Sequence, residues 1–200
     1  SLHNEEVRMK WCASILSYGQ VPRLLEVLDS VGDMPIYIFN PTESWWNTDM
    51  KDYTRQRLDD RPLTLIRKSW KDETEVRNAM IENAFDNGHH MMVMLDADEI
   101  IEGLDNIEKY GTYTAELIDY DRQGNVLTKR AHKPVVVVET RVRVPIFVDK
   151  RVASISLSEA NLKIHHYSYD VPEEYEYKLK KNDGDNWPPK EHRGVLDVHN

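Results

Sequence analysis

One cysteine is all the chain has, and Cys12 alone excludes both an intramolecular disulfide framework and a zinc site built on thiolates. Any metal bound here must be held by oxygen and imidazole. Long apolar runs are missing too, and no stretch comes near the ~18 residues that a membrane-spanning helix needs, so no transmembrane segment is expected. Positive charge is in deficit: 26 Lys and Arg stand against 35 Asp and Glu, a formal net charge of -9. Nucleic-acid binding by the chain as a whole is therefore not expected, because phosphate contacts need a basic face. A local basic patch at Lys150 and Arg151 could still receive a small anion. Internal repeats and low-complexity tails are absent. The opening "SLHNEEVRMKWCASIL" is too polar at its start for a secretory signal, and the missing Met hints at removed upstream residues. The default expectation is a cytoplasmic protein.

What is present reads as an ordinary globular composition, 40% hydrophobic and 30% charged. With 200 residues the chain can form one sizeable core and is short for two, so a single domain over 1–200 is expected. "KWCASILSY" (10–18) predicts a buried strand, "RLLEVLDSVG" a helix ended at Gly32, and "MPIYIFN" a second strand halted at Asn40-Pro41. Residues 41–62 read as a long polar loop with one helical piece around Tyr53 to Leu58. "PLTLIRKS" is a third strand. In "DETEVRNAMIENAFDNG", Val76, Met80, Ile81, Ala84 and Phe85 recur at helical spacing between acidic starting residues and a Gly88 stop. Such alternation predicts a parallel sheet with helices on its faces. The second half is β-rich, with a hairpin turn at Gln123-Gly124-Asn125, a late strand ending in His165-His166, and "PEEYEYKLKK" as a charged helix.

The sequence's sharpest feature is "MMVMLDADEII", where an apolar strand stops on Asp96, Asp98 and Glu99 and then turns apolar again. Unpaired burial of such charges costs several kcal/mol each, so something positive should sit there. In an open α/β sheet the ligand crevice lies beyond the carboxyl ends of the strands. In extended chain, Asp96 and Asp98 would point the same way, and two such carboxylates suit a hard cation, Mg²⁺ or Mn²⁺, that also carries phosphate oxygens. The bland alternative is a capped turn or the start of a short helix at "DEIIEGLDN".

"VRNAMIENAFDNGHHMMVMLDADEII" resembles the segment of family-2-type glycosyltransferases of the GT-A fold in which an Arg-Asn on a helix precedes a strand ending in D-x-D. "ASILSYGQVPRLLEVLDSV" and "IYIFN" are similar to that family's first strand, first helix and second strand, and "KIHHYSYDVPEEYEYKLKK" to its late segment. The resemblance implies a GT-A fold, a central mostly parallel sheet flanked by helices. Residues 1–101 would be its nucleotide- and metal-binding half and 102–200 its acceptor side. It also implies transfer of a sugar from a UDP- or GDP-linked donor to a glycan or protein acceptor, with inversion. By that resemblance Asp98 would ligate Mn²⁺ or Mg²⁺, Asp96 would reach the metal or the donor ribose, and His165 or, by preference, His166 would be a late metal ligand. Ser17, Tyr18, Asn40 and Arg77 would serve the nucleotide, although the family commonly has an acidic residue near the place of Asn40.

An inverting transfer needs a general base. The family's Glu-Asp pair is missing, and the candidates are Asp149, at the abrupt end of "RVPIFVD", and Asp119 or Asp121, after "TAELI"; Asp149 is preferred and Asp121 reads as an exposed turn residue. Trp45, Trp46 and Trp70 could present an acceptor face or simply pack. Two rivals stay open. A haloacid-dehalogenase-like phosphatase also places D-x-D after an apolar strand, but normally on its first strand. A non-catalytic nucleotide-sugar-binding module would explain the missing Glu-Asp.

Overall fold

The computed structural model describes residues 8–45, 49–129, 133–141, 147–149, 151–153, 155–174 and 176, apart from the side chains of residues 128, 129, 148, 149 and 152. Its first half alternates strand and helix: β1 (Trp11–Leu16), α1 (Leu24–Ser30), β2 (Ile36–Pro41), α2 (Thr54–Arg57), β3 (Thr64–Lys68), α3 (Glu73–Asp86) and β4 (Met91–Asp96). The second half is mostly strand: β5 (Glu99–Glu102), a single 3-10 turn at Leu104–Asn106, β6 (Tyr113–Tyr120), β7 (Val126–Lys129), β8 (Val135–Glu139), β9 (Phe147–Asp149), β10 (Val152–Ala153) and β11 (Ser158–His166). "DEIIEGLDN" is thus a strand and a turn, not a helix start.

One sheet runs β3-β2-β1-β4-β8-β6-β11-β5, with β7 pairing β6 off this path, and β9 and β10 form a separate hairpin. The strands β3, β2, β1 and β4 are mutually parallel. Because β8 runs antiparallel to both β4 and β6, and β11 runs parallel to β6, the strands β4, β6 and β11 all point the same way. Their carboxyl ends share one edge with those of β1 and β2. The expected α/β architecture, a sheet flanked by helices with a β-rich second half, is the one observed.

Strand pleating decides which face each residue serves. In β4, Met91, Val93 and Leu95 join the core under α1, where Leu24, Val27 and Leu28 pack with Ala13, Ile15, Ile36 and Ile38. Met92 and Met94 face the other way, into a second core with Cys12, Phe39 and the α3 residues Val76, Met80, Ile81 and Ala84. Continuing that alternation, Asp96 falls on the α3 face.

Helix α3 begins where Asp72 accepts a hydrogen bond from the Glu75 backbone N–H at 2.9 Å, with Glu73 and Glu75 in the first turn. Gly103 follows β5 at φ 99°, and a Cβ there would strike the Asn161 carbonyl of β11. Only glycine fits that close approach.

Candidate functional site

Arg77 lies on the buried stripe of α3, one turn before Met80 and Ile81, and its side chain is fully buried. Its Nη2 donates to Asp96 Oδ1 at 2.5 Å and to Glu73 Oε1 at 2.8 Å. The next residue, Asn78, clamps the β9–β10 hairpin: its Nδ2 donates to the Phe147 carbonyl at 3.2 Å and its Oδ1 accepts from the Phe147 N–H at 3.1 Å. So held, the hairpin's turn delivers Arg151 to Glu99 Oε2 at 2.6 Å and to Asp96 Oδ2 at 3.0 Å. Glu99 Oε2 also accepts the Asp96 backbone N–H at 2.8 Å.

The positive charge that the acidic motif demanded is therefore two guanidinium groups from elsewhere in the chain. Burial opposes ionisation of Asp96, but the charges of Arg151 and Arg77 outweigh it and hold the carboxyl well below the usual range. Burial pushes Glu99 up, against the opposing pull of Arg151. Arg151 is 8% exposed and taken up by Asp96 and Glu99, so the Arg151 part of the expected basic patch is not open to a small anion. Lys150 and Trp46 lie outside the described residues, as does the side chain of Asp149.

Asp96 and Asp98 do not lie on one extended segment, because Ala97 and Asp98 form a turn between β4 and β5. Asp98 instead faces β11, with its Oδ2 3.5 Å from His166 Nε2. His166 Nδ1 lies 2.7 Å from Asp119 Oδ1 on β6, its direct register partner. Burial opposes a charged imidazole, yet Asp98 and the hydrogen bond to Asp119 raise His166 to about 10. His165, on the other face, bonds Tyr120 through Nδ1 at 2.6 Å and Glu102 through Nε2 at 2.7 Å. Asp119 is thus engaged with His166. Asp121 is the turn residue of the β6–β7 hairpin, as read, but it is buried rather than exposed, accepting from the Gln123 and Asn125 N–H groups.

A divalent ion of the Mg²⁺ or Mn²⁺ class could be held by Asp98 and, once it displaced the proton of Nε2, by His166, 3.5 Å apart, with water and phosphate oxygens in the remaining positions. Among the described residues no three His, Cys, Asp or Glu side chains converge as a complete cage, which such an ion does not require.

At the carboxyl ends of β1 and β2 a polar network forms. Ser17 Oγ and Thr54 Oγ1 are 2.8 Å apart, and Asn40 Nδ2 donates to the Ser17 carbonyl at 2.8 Å and to Asp52 Oδ2 at 2.7 Å. Arg67 Nη1 donates to Asn40 Oδ1 at 3.0 Å, and the Tyr18 hydroxyl donates to the Met50 carbonyl at 2.9 Å. Both ends of the buried Asn40 amide are engaged inside the fold. Sequence reasoning missed Asp52, Thr54 and Arg67, which sit in the long loop, at the start of α2 and on β3 and join Asn40 only through chain folding. Trp45 donates to the Trp70 carbonyl at 2.8 Å, and Trp70 packs on Phe39, an anchoring role for both.

No family model and no curated protein sequence matches the chain. Among solved structures, HddC from Yersinia pseudotuberculosis is similar at 11% identity and TM-score 0.45, covering 85% of this chain and 98% of that one. A candidate nucleotide-diphospho-sugar transferase from Desulfovibrio desulfuricans G20 is similar at 10% identity and TM-score 0.45, covering 94% and 95%. S. aureus TarS 1-349 in complex with UDP is similar at 13% identity and TM-score 0.46, covering 84% of this chain and 63% of that one.

Proposed function

We propose that this chain is a nucleotide-sugar-dependent glycosyltransferase that uses Mn²⁺ or Mg²⁺ and inverts the transferred centre. The observation that carries the reading is the meeting of Asp98 and His166 at the carboxyl edge of the sheet, 3.5 Å apart, next to an Asp96 kept ionised by Arg77 and Arg151. Asp98 and His166 would hold the ion, which when bound supplies charge neutralisation for the departing diphosphate. Asp96, one third exposed, would accept a ribose hydroxyl or reach the ion. The edge of β1 and β2 would seat the nucleoside, with Asp52 and Arg67 as its polar groups and Ser17, Asn40 and Thr54 bracing them from below. Ser17, Tyr18 and Asn40 would then shape the pocket without contacting the base directly. Asp149 would take the acceptor's proton.

This arrangement fits a phosphatase poorly. Its nucleophile would be Asp96, whose two oxygens are engaged by guanidinium groups.

Thermal unfolding with Mn²⁺ and UDP or GDP tests the reading, since a ligand that binds only the folded state raises its stability. The expected result is a metal-dependent rise in Tm with one diphosphate that disappears in Asp98→Asn. An equal rise in the variant would remove Asp98 from the site. No rise with any nucleoside diphosphate would end the donor assignment.

A further inference from the structure

Asp119 is fully buried on β6, one residue before the strand's end. A carboxylate in that position is costly unless it is satisfied by a specific partner. One partner is His166, directly across the parallel β6–β11 pairing, with Oδ1 2.7 Å from Nδ1. A donor hydrogen bond from Nδ1 fixes the plane of the ring and leaves Nε2 as the nitrogen turned to Asp98, 3.5 Å away. The same pair of strands repeats the arrangement on the opposite face, where His165 meets Tyr120 at 2.6 Å. There the acceptor is a phenol, and the other ring nitrogen goes to Glu102 at the surface. Two adjacent histidines thus have cross-strand partners of different chemistry, and only the one facing the acidic motif has a buried carboxylate.

We propose that Asp119 is a positioning residue for the cation site: its carboxylate orients the His166 ring and strengthens Nε2 as a donor to a divalent ion, and it is not the base that deprotonates the acceptor. Carboxylates behind a metal-binding imidazole act in this way generally, and their loss lowers metal affinity about 10- to 100-fold. The inference rests on the metal-dependent transferase reading above.

The test is Mn²⁺ binding to the folded protein, followed by the electron paramagnetic resonance signal of the free ion. It compares the unaltered chain with Asp119→Asn, Asp119→Ser and, as a control from the opposite face, Tyr120→Phe. Asn keeps the side chain's shape and an oxygen for the ring, and Ser is a second route should Asn fold poorly. Both Asp119 variants are expected to bind Mn²⁺ about 10- to 100-fold more weakly, and Tyr120→Phe to bind as the unaltered chain does. At saturating Mn²⁺ the binding of UDP or GDP by Asp119→Asn should recover to that of the unaltered chain, because positioning acts through the ion. Unchanged Mn²⁺ affinity in a folded Asp119 variant would overturn the proposal and leave the transferase reading standing. Nucleotide binding that stays weak at saturating Mn²⁺ would also overturn it, by giving Asp119 a role that does not act through the ion. Failure of the unaltered chain to bind Mn²⁺ would remove both.

Discussion

Arg77 Nη2 and Asp96 Oδ1 stand 2.5 Å apart, joining the second turn of α3 to the last residue of β4. The pair holds the acidic motif against the helix that precedes it in sequence, and Arg151 closes the opposite side at 3.0 Å. Each oxygen of the Asp96 carboxylate thereby meets a cation that the fold itself supplies, while a third of the side chain stays exposed.

Removing one partner of a buried ion pair leaves the other uncompensated, at about 3–5 kcal/mol. Since Asp96 is one third exposed, Arg77→Met should fall near the lower end, about 3 kcal/mol, in urea denaturation. The double variant Arg77→Met, Asp96→Asn should lose less than the sum of the two single variants. Strict additivity would mean that the two groups do not stabilise each other.

The two histidines offer a contrast built on strand alternation. His166→Ala should weaken Mn²⁺-dependent nucleotide binding by at least about tenfold, while His165→Ala should leave it within about twofold. Calorimetric titration would read both. Equal losses would contradict the facing observed for β11.

In the metal-free protein His166 is raised from 6.5 to about 10 by Asp98 and Asp119 acting against burial. A raised value means that the folded state holds the proton more tightly than the unfolded chain does. The stabilisation is complete below about 6.5 and is lost as pH rises through about 10. Stability measured between these limits should fall with pH, and His166→Gln should flatten that slope. A slope unaltered in the variant would assign it to other groups.

Cys12 is fully buried between β2 and β4, and burial pushes its thiol up to about 12. Since the thiolate is the reactive form, alkylating reagents at pH 8 should leave the folded chain unmodified and label it promptly in denaturant. Rapid labelling without denaturant would show that β1 is not sealed as described.

At Gly103, φ is 99° and a Cβ would meet the Asn161 carbonyl. Gly103→Ala should destabilise the protein by more than about 1 kcal/mol, since neither the backbone angle nor the neighbouring strand can accept the methyl group. A thermal melt unchanged from the parent would indicate that β5 and β11 separate there without loss.

Much of the order of elements was legible in the chain because it is encoded locally. Apolar runs of strand length, the helical spacing of Val76, Met80, Ile81 and Ala84, the Asp72 start and the Gly88 stop each act over a few residues. The stripe also held a readable sign of Arg77's burial, since it sits three and four residues before Met80 and Ile81. The acidic residues at the end of β4 announced that a positive group must approach. Nothing in the local sequence could say which one.

That choice belongs to the tertiary structure. Arg151 reaches Asp96 from a hairpin that Asn78, on another element, clamps in place. Asp119 reaches His166 only because β6 and β11 pair in parallel and in register, and Asp52 reaches Asn40 only through the folding of a long loop. Periodicity, turns and caps are short-range consequences of backbone geometry, so the sequence by itself determined the strand and helix alternation of the first half and the strand end that carries the acidic motif. Which charges meet there depends on contacts between residues far apart in the chain, and only the packed sheet decides those.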